Sequence, residues 1–269
     1  MSREKKKELP VEIQNYVNIL EYDVNDVGMS DSEVRIYDKY VLKIQPKSDE
    51  TDNEHLMARW LEHKIPIPTI LSYSTQDNLA YTLMTKMDGD MLCSQDNLAA
   101  PQRLIKTVAQ GLKMLWKIDV RECPYSTSRL DERLKAAEYN VINGLVDLDN
   151  VEPETFGPGG FKNPEELLAW LKNNCPEEDI VLTHGDFCLP NIFVKDGCIS
   201  GFIDLGKMGP ADRWQDIAIA IRSLDHNFNG KYTGGKKIFD FCPQMLIDEL
   251  GVAWDEEKYR YYILLDELF

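Results

Sequence analysis

Three polar side chains inside an apolar stretch constrain the fold of this chain more than any other feature. Asp186 is followed five positions later by Asn191 and, after 13 more positions, by Asp204. Short apolar runs interrupted by Gly and Asp surround them, at 180–183, 192–194 and 199–203. Such runs are typical of short strands joined by tight turns. The sequence therefore predicts a small sheet whose strand ends present an Asp, an Asn and a second Asp.

The spacing of these three residues predicts phosphoryl-transfer chemistry. The first Asp can orient a substrate hydroxyl and accept its proton, while the Asn amide oxygen and the second carboxylate are hard oxygen ligands that suit Mg²⁺ on a triphosphate. Each element alone has a plain structural explanation, since Asp186 can form an Asx turn and Asp204 can end a hairpin. The two elements together, at this spacing, favour phosphoryl transfer.

The net charge narrows the class of ligand. The chain has 269 residues, with 30 Lys and Arg residues against 46 Asp and Glu residues, and its formal charge is −16 at pH 7. Nucleic acid would be repelled by that field, and a cationic ligand would be attracted. The alternative explanation is an acidic surface that only keeps the protein soluble. Only specific acidic residues at a binding site can decide between a cationic ligand and a merely soluble surface.

The cysteine and hydrophobic patterns predict a cytoplasmic protein without a membrane partner. None of the six Cys residues forms a C-x-x-C pair, and the four His residues have no ligand-like spacing, so a structural zinc site has no support. Unpaired cysteines are typical of reduced thiols in the cytosol. No apolar run approaches the ~18 residues of a membrane span, and the basic N-terminal segment lacks the apolar region of a signal peptide.

Residues 1–88 are predicted to be rich in strands and to contain one helix. The runs at 34–37 and 40–44 predict a hairpin, and 79–84 predicts a further strand. Thr51 and Glu54 have the spacing of a capping box and precede a helix at 55–63. The apolar face of that helix is predicted to contain Leu56, Trp60 and Leu61.

Residues 89–269 are predicted to be mainly helical, with the small sheet inserted among the helices. An amphipathic helix over 102–118 is predicted from the spacing of Leu104, Val108, Leu112 and Leu115. Other helices are predicted to end near residue 145 and to span 164–174, 213–224, 236–250 and 255–268. Turn-forming residues at 87–90 place a boundary between two domains, 1–88 and 89–269.

Four segments of the chain carry a family resemblance. They read HGDFCLPN at 184–191, GFIDLG at 201–206, ADRWQDIA at 211–218 and LLDELF at 264–269. Together they resemble the aminoglycoside 3′-phosphotransferases, an antibiotic-kinase branch of the protein-kinase-like fold. The resemblance implies an α+β, bilobal protein-kinase-like fold. Its small β-sheet N-lobe would have one helix, and its larger C-lobe would be mainly helical.

The resemblance implies a role for each polar residue of the inserted sheet. Asp186 is implied to be the catalytic aspartate, and Asn191 and Asp204 are implied to hold Mg²⁺. His184 is implied to anchor the loop through hydrogen bonds rather than to act as a general base. Asp216 is implied to brace the backbone of the same loop.

The resemblance also implies that Lys43 grips the α- and β-phosphates of ATP. An alternating strand would place Leu42 and Ile44 on one face and Lys43 on the other, toward the nucleotide. Glu54 is implied to be the helix partner of Lys43. Its place in the Thr51 capping box is a competing role, and both roles cannot be fully satisfied at once. We favour the pairing with Lys43.

Two further segments are implied to bind the nucleotide. Met29 and Ser30 match a short phosphate-binding loop, in which a hydroxyl and backbone N–H groups would hold the β-phosphate. Thr85 and Met87 match the hinge that hydrogen-bonds adenine through its backbone.

The carboxyl end of the chain indicates the substrate. Asp266, Glu267 and the Phe269 carboxylate place three negative charges at a helix C-terminus, where the helix dipole is already negative. We expect the ammonium groups of an aminoglycoside to supply the missing counter-charges, although a solvated, frayed tail is the alternative. Lys207 and Glu154, the latter in the acidic loop 147–154, are expected to contact the substrate too.

The combined expectation is an enzyme that uses ATP and Mg²⁺ to phosphorylate an aminoglycoside hydroxyl, at the 3′ position, and so confers resistance. We expect a monomer or a weak homodimer with no nucleic-acid or membrane partner. Two alternatives stay open. One is a kinase of another small cationic alcohol such as choline, which would use an aromatic cage. The other is a catalytically dead pseudokinase that only binds ligand.

Overall fold

The structure is a computed structural model of the chain. It describes residues 9–25, 32–125 and 129–269. Met29 and Ser30, which the sequence assigns to the phosphate-binding loop, lie outside the described residues.

The described residues form a sheet-rich part followed by a mainly helical part. The first part contains α1 (Val11–Val17), β1 (Asp23–Asn25), β2 (Glu33–Ile36), β3 (Tyr40–Pro46), α2 (Asp49–Leu61), β4 (Ile70–Gln76) and β5 (Leu79–Thr85). The second contains β6 (Asp90–Met91), α3 (Gln95–Leu98), α4 (Pro101–Trp116), α5 (Leu130–Asn143), α6 (Pro164–Asn173), β7 (Ile180–Thr183), β8 (Ile192–Lys195), β9 (Cys198–Phe202), β10 (Gly209–Asp212), α7 (Arg213–Asn229), α8 (Pro243–Leu250) and α9 (Glu256–Asp266). This arrangement confirms the predicted α+β class.

Strands β1 to β5 form one antiparallel sheet in the order β1-β2-β3-β5-β4. The predicted hairpin is confirmed, since β2 and β3 pair with Arg35 opposite Leu42. Because side chains alternate along a strand, Leu42 and Ile44 are buried in a cluster with Ile13 of α1. Lys43 extends from the opposite face, where it meets the second part of the chain.

Helix α2 begins at Asp49, earlier than predicted, because Ser48 is its N-cap. The Ser48 hydroxyl accepts the Thr51 N–H at 3.4 Å, and the Thr51 hydroxyl accepts the Ser48 N–H at 3.1 Å. The predicted capping box of Thr51 and Glu54 is therefore wrong. Thr51 is the third residue of the helix rather than its cap, and the Glu54 carboxylate binds elsewhere.

The buried face of α2 also differs from the predicted one. Leu56 is 43% exposed, whereas positions 53, 54, 57, 58 and 61 are buried. These positions recur at the three- and four-residue spacing of one helix face. Two of them are the polar residues Asn53 and Glu54, which is why a search for apolar residues alone misplaces the face.

The second part of the chain contains the main core. The amphipathic helix predicted at 102–118 is confirmed as α4, and its four spaced apolar residues are buried. The helix predicted at 236–250 is shorter, because it begins at Pro243, whose fixed φ suits a first helical position. In the part of the chain that the structure describes, none of the helices combines the length and apolar character needed to cross a membrane.

Two small sheets carry the polar residues predicted near residue 190. β7 pairs antiparallel with β10, and the other sheet has the order β6-β8-β9. β6 and β10 were not predicted, because 90–91 and 209–212 lack an apolar alternation and become strands only through their partners. The Ile203 N–H donates to the Asn191 carbonyl at 3.0 Å. This bond places the turn after β7 beside the segment that follows β9.

Replacing Ser48 by Ala should lower the free energy of unfolding by about 1 kcal/mol, because the Thr51 N–H loses its side-chain acceptor. Urea unfolding followed by circular dichroism measures the change. If the capping box of Thr51 and Glu54 were the real one, the Ser48→Ala variant would unfold at the same urea concentration as the wild type.

Candidate active site

The loop between β7 and β8 carries Asp186 and Asn191 and is shaped by a glycine. Gly185 has φ +83°, a left-handed conformation that other residues disfavour. A Cβ atom at this position would also collide with the carbonyl oxygen of Lys207. Glycine therefore allows the loop to pack directly on the backbone of the 3₁₀ turn Leu205–Lys207.

His184 and Asp216 anchor this loop. Asp216 of α7 is fully buried, and its two carboxylate oxygens accept the N–H groups of His184 and Gly185 at 2.6 and 2.9 Å. The His184 ring is buried as well, and its Nε2–H donates to the Ile203 carbonyl at 2.9 Å. Burial raises the pKa of Asp216 to about 6. Both side chains are used to hold backbone, which is the role that the sequence predicts for them.

Asn191 fixes the side chain of Asp186. The Asn191 Nδ2 group donates to the Asp186 carbonyl oxygen at 3.0 Å and to the carboxylate Oδ2 at 3.1 Å. Asp186 is only half-buried, so an incoming molecule can reach it. An oriented, accessible carboxylate of this kind can accept a hydrogen bond from a hydroxyl and then its proton.

A cluster of three charged groups joins the two parts of the chain. The Lys43 Nζ atom lies 2.7 Å from Asp204 Oδ1 and 3.4 Å from Glu54 Oε2. Burial alone would lower the pKa of Lys43, but attraction by Glu54 and Asp204 outweighs burial and raises that pKa. Burial raises the pKa of Glu54, whereas Lys43 outweighs burial at Asp204 and lowers its pKa. Lys43 and Asp204 are therefore both charged at neutral pH.

The backbone of Asp204 is in an unusual conformation. Its φ is +62° and its ψ is 61°, a left-handed region that a residue with a side chain adopts only at a cost. Asp204 directly precedes the turn Leu205–Lys207, and half of its side chain is exposed. Backbone strain of this kind is concentrated at ligand sites, where surrounding contacts maintain it.

Asn191 and Asp204 supply oxygen donors that fit Mg²⁺. The bonds from Asn191 to Asp186 use its Nδ2 group, which leaves the amide oxygen as a ligand. Asp204 has a second carboxylate oxygen beyond the one bonded to Lys43. Mg²⁺ typically takes one or two protein ligands and completes its shell with phosphate and water oxygens. No group of three His, Cys, Asp or Glu side chains within 9–25, 32–125 and 129–269 forms a metal site made only of protein.

The two predicted hinge residues differ in their free backbone groups. The Thr85 N–H donates to the Thr69 carbonyl at 3.0 Å, and the Thr85 hydroxyl accepts the Thr69 N–H at 2.9 Å. Met87 has no backbone-to-backbone hydrogen bond to the described residues. Its side chain lies over Gly201, where any Cβ atom would collide with it. Met87 therefore has the backbone groups that a purine can use.

Two acidic side chains at the chain end, Asp266 and Glu267, are paired with arginines of the protein, so for these two the expectation of missing counter-charges is wrong. Asp266 pairs with Arg222 of α7 and, at 3.6 Å, with Arg133 of α5. Glu267 Oε1 lies 3.2 Å from Arg222, and Oε2 accepts the Glu152 N–H at 2.8 Å. Arg222 outweighs burial and lowers the pKa of Asp266. The counter-charges come from helices distant in sequence, which a linear charge pattern does not reveal.

The last residue lies against helix α5. The Arg133 guanidinium is 4.7 Å from the centre of the Phe269 ring. The Asn140 side chain donates to the Leu268 carbonyl at 2.9 Å. These contacts hold the chain end in place, so it is not a frayed tail.

Lys207 lies within electrostatic range of both Asp186 and the chain end. Burial acts to lower the pKa of Lys207, but the carboxylates of Asp266, Glu50 and Asp186 outweigh burial and raise it. A charged Lys207 is thus attracted both by Asp186 and by Asp266 of the chain end. The structure brings these two groups of residues into one electrostatic environment.

An acidic recess lies beside Arg222. Its volume is about 380 Å³, and the charged residues and the histidine that line it are Glu152, Glu154, Arg222, Asp225 and His226. Glu152 is paired with His226 at 3.0 Å and with Lys231 at 3.2 Å. Burial lowers the pKa of His226. Glu154 is exposed and pairs with no cation of the described chain, so the recess retains negative charge.

Sequence reasoning missed Arg133 and Arg222. Neither residue belongs to a motif, because each is defined by carboxylates that come from another helix. Asn53 was missed as well, although its position next to Glu54 on a buried helix face could have indicated a role.

Comparison with known proteins identifies relatives of the chain. The model of a family described as "Phosphotransferase enzyme family" matches residues 23–250. The aminoglycoside 3′-phosphotransferase of Enterococcus faecalis is 40% identical over 222 residues, covering 82% of this chain and 79% of that protein. The aminoglycoside 3′-phosphotransferase of Niallia circulans is 35% identical over 272 residues, covering 97% of each chain.

A solved structure supports the same relationship. The crystal structure of an aminoglycoside 3′-phosphotransferase of type VIII matches with a TM-score of 0.75 and 25% identity, covering 93% of this chain and 94% of that one. The predicted kinase-like fold is thereby confirmed.

Replacing Asp216 by Asn should change how stability depends on pH. The pKa of Asp216 in the folded chain is about 6, above the value of about 3.9 in an unfolded chain. The ionised carboxylate therefore lowers stability at pH 7, and this loss is relieved as the pH falls through 6. Relative to the variant, the wild type should gain about 1 kcal/mol in unfolding free energy between pH 7 and pH 5.

Urea unfolding at both pH values measures this difference. Asp240→Asn, at an exposed carboxylate paired with Lys237, is the matched control and should follow the wild type. Identical pH dependence in Asp216→Asn and the wild type would contradict the prediction.

Proposed function

Because the chain belongs to the phosphotransferase enzyme family, we propose that it transfers the γ-phosphoryl group of ATP to the 3′-hydroxyl of an aminoglycoside. The main observation behind this proposal is a site that combines two features. Asn191 orients Asp186, and a cluster of charged groups surrounds Lys43. The names of the relatives from Enterococcus faecalis and Niallia circulans support the 3′ position. Phosphorylation would inactivate the antibiotic and so confer resistance.

Asp186 acts on the acceptor. Asn191 bonds to Oδ2 of this carboxylate, which leaves Oδ1 to accept a hydrogen bond from the attacking hydroxyl. The carboxylate orients the hydroxyl for in-line attack and receives its proton. Asp216 supports this step because it fixes the N–H groups of His184 and Gly185, and His184 supports it because its ring binds the Ile203 carbonyl.

Lys43 and its partners act on the donor. Glu54 holds Lys43 on the face of β3 that meets Asp204, where the ammonium group would bind the α- and β-phosphates. Asn191 and Asp204 would hold Mg²⁺, which would neutralise the negative charge that develops on the transferred phosphoryl group. The Met87 backbone would bind adenine beside Thr85, and Met29 and Ser30 would cover the phosphates.

The acceptor site would recognise ammonium groups. The charges of Asp266 and Glu267 are offset by arginines, so they contribute less net attraction than their number implies. Glu154 is different, because it is exposed at the acidic recess and unpaired within the described chain. We assign it to an ammonium group of the substrate. Lys207 would lie close to the transferred phosphoryl group, between Asp186 and Asp266.

The two-domain division follows from these roles. Residues 1–88 would bind the nucleotide, and residues 89–269 would supply catalysis and the aminoglycoside site. The proposed enzyme is cytoplasmic, acts as a monomer or weak homodimer, and has a small-molecule partner only.

Asp186→Asn should lower kcat about 10²–10⁴-fold while leaving ATP affinity nearly unchanged, since the residue contacts the hydroxyl rather than the nucleotide. The assay is ADP release with kanamycin, neomycin, choline or homoserine as acceptor. Asp196→Asn, at an exposed turn between β8 and β9, is a matched control and should keep full turnover.

The wild type should release ADP with the two aminoglycosides and not with the other acceptors, and NMR of the product should locate the phosphate. Turnover with choline would favour the other small-alcohol kinase. Absence of turnover with every acceptor would favour a pseudokinase. If the Asp186→Asn variant keeps more than about a tenth of the wild-type turnover, Asp186 does not have the proposed role.

Glu154→Gln should raise the KM for kanamycin about fivefold, because a carboxylate and an ammonium group at 4 Å attract by about 1 kcal/mol in water. The KM for ATP should not change. The wild-type KM for kanamycin should rise with salt as the Debye length shortens to about 8 Å at 0.15 M, and the variant should lose part of that dependence. Glu165→Gln, an exposed carboxylate in the first turn of α6, is the matched control. An unchanged KM would leave Glu154 as a solvated residue.

A further inference from the structure

The side chain of Asn53 crosses between two distant segments of the chain. Asn53 lies in α2 and is fully buried. Its Nδ2 group donates to the Gly206 carbonyl at 2.8 Å and to the Met208 carbonyl at 2.9 Å. One amide group therefore binds two carbonyls of the backbone that directly follows Asp204.

The orientation of this amide follows from its surroundings. Both neighbouring acceptors are carbonyl oxygens, so a flipped amide would place oxygen against oxygen and lose both hydrogen bonds. In the observed orientation Oδ1 is buried and has no hydrogen-bond partner in the described chain. A buried acceptor without a partner is costly, and an aliphatic side chain of similar size would avoid that cost. The value of Asn at this position thus lies in the two bonds that its Nδ2 group makes.

Two neighbours of Asn53 touch the same turn. The Leu205 N–H is close enough to the Glu54 carboxylate to act to lower its pKa, although burial raises that pKa overall. The Glu50 carbonyl oxygen lies 3.2 Å from the place that a Cβ atom on Gly206 would occupy. Because residues 50, 53 and 54 share one face of a helix, α2 packs along this backbone at three successive points.

We propose that Asn53 is a positioning residue, which clamps the 205–208 backbone to α2 and thereby holds Asp204 in the orientation that binds Mg²⁺. Asp204 needs such support because its backbone is left-handed and strained. The same helix carries Glu54, so the clamp sets Asp204 and the Glu54–Lys43 pair relative to one another. Asn53 touches no reacting group. The inference rests on the proposed function, because it concerns the nucleotide and metal side of that site.

Asn53→Leu is the decisive variant, because it removes both hydrogen bonds and also the unpartnered oxygen at nearly constant volume. Thermal stability should fall somewhat, because the buried carbonyls of Gly206 and Met208 lose their donor, so the Mn²⁺ affinity is measured well below the melting temperature of the variant. The affinity of the ADP-bound protein for Mn²⁺, used as the probe metal and measured by electron paramagnetic resonance, should fall about tenfold. Hydrogen exchange of the backbone amides at 204–208 should become faster. Asn53→Ala, which also removes the two bonds, should weaken Mn²⁺ binding in the same way if the Leu variant folds poorly.

Tyr261→Phe is the matched control. The Tyr261 hydroxyl is buried and donates to the Leu171 carbonyl at 3.1 Å, which is also a bond between elements distant in sequence. This variant should keep wild-type Mn²⁺ affinity and wild-type exchange at 204–208.

Wild-type Mn²⁺ affinity in both Asn53 variants would overturn the inference. It would also be overturned if Tyr261→Phe lowered the melting temperature and weakened Mn²⁺ binding as much as the Asn53 variants do, because the loss would then reflect general destabilisation. The experiment contains no aminoglycoside. Weaker Mn²⁺ binding in Asn53→Leu would thus support the clamp even if the wild type released no ADP with any acceptor, an outcome that would reject only the proposed function.

Discussion

The interaction on which the rest of the site depends is the pairing of Lys43 with Asp204 and Glu54. The three residues come from β3, from the segment after β9 and from α2. A buried ammonium group is tolerated only where carboxylates offset its loss of hydration. The requirement to satisfy this charge therefore holds the sheet, the helix and the Asp204 turn together. It also leaves the lysine charged and in place before any nucleotide arrives.

The loop between β7 and β8 shows a second constraint, since its order is maintained at a cost to stability. The Asp216 carboxylate is fully buried. Its pKa is raised because burial makes the ionised form less stable than it would be in water. In return it fixes two consecutive backbone N–H groups. Gly185 then allows that backbone to lie directly on Lys207. Asp186 is in this way oriented by the folded chain alone, which is the preorganisation that catalysis by positioning would need.

The acidic chain end shows that tertiary contacts can supply counter-charges that the sequence does not reveal. On the sequence, Asp266 and Glu267 are surplus negative groups at the end of a helix. In the folded chain Arg222 reaches both of them, and Arg133 reaches Asp266 as well. The cluster is thus part of the folded protein and holds the chain end.

The sequence by itself determined the features that depend on local periodicity and motif spacing: the hairpin of β2 and β3, the amphipathic helix α4, and the set Asp186, Asn191 and Asp204. These signals are short-range, because strand alternation and helix turns repeat within a few residues. The tertiary structure alone decided the partners of Arg222, the strand β10 and the buried amide of Asn53. Each of these depends on segments that are far apart in the chain and meet only after packing. Hydrogen bonds and ion pairs act over a few ångströms, so no pattern along the sequence records which distant groups will come within that range.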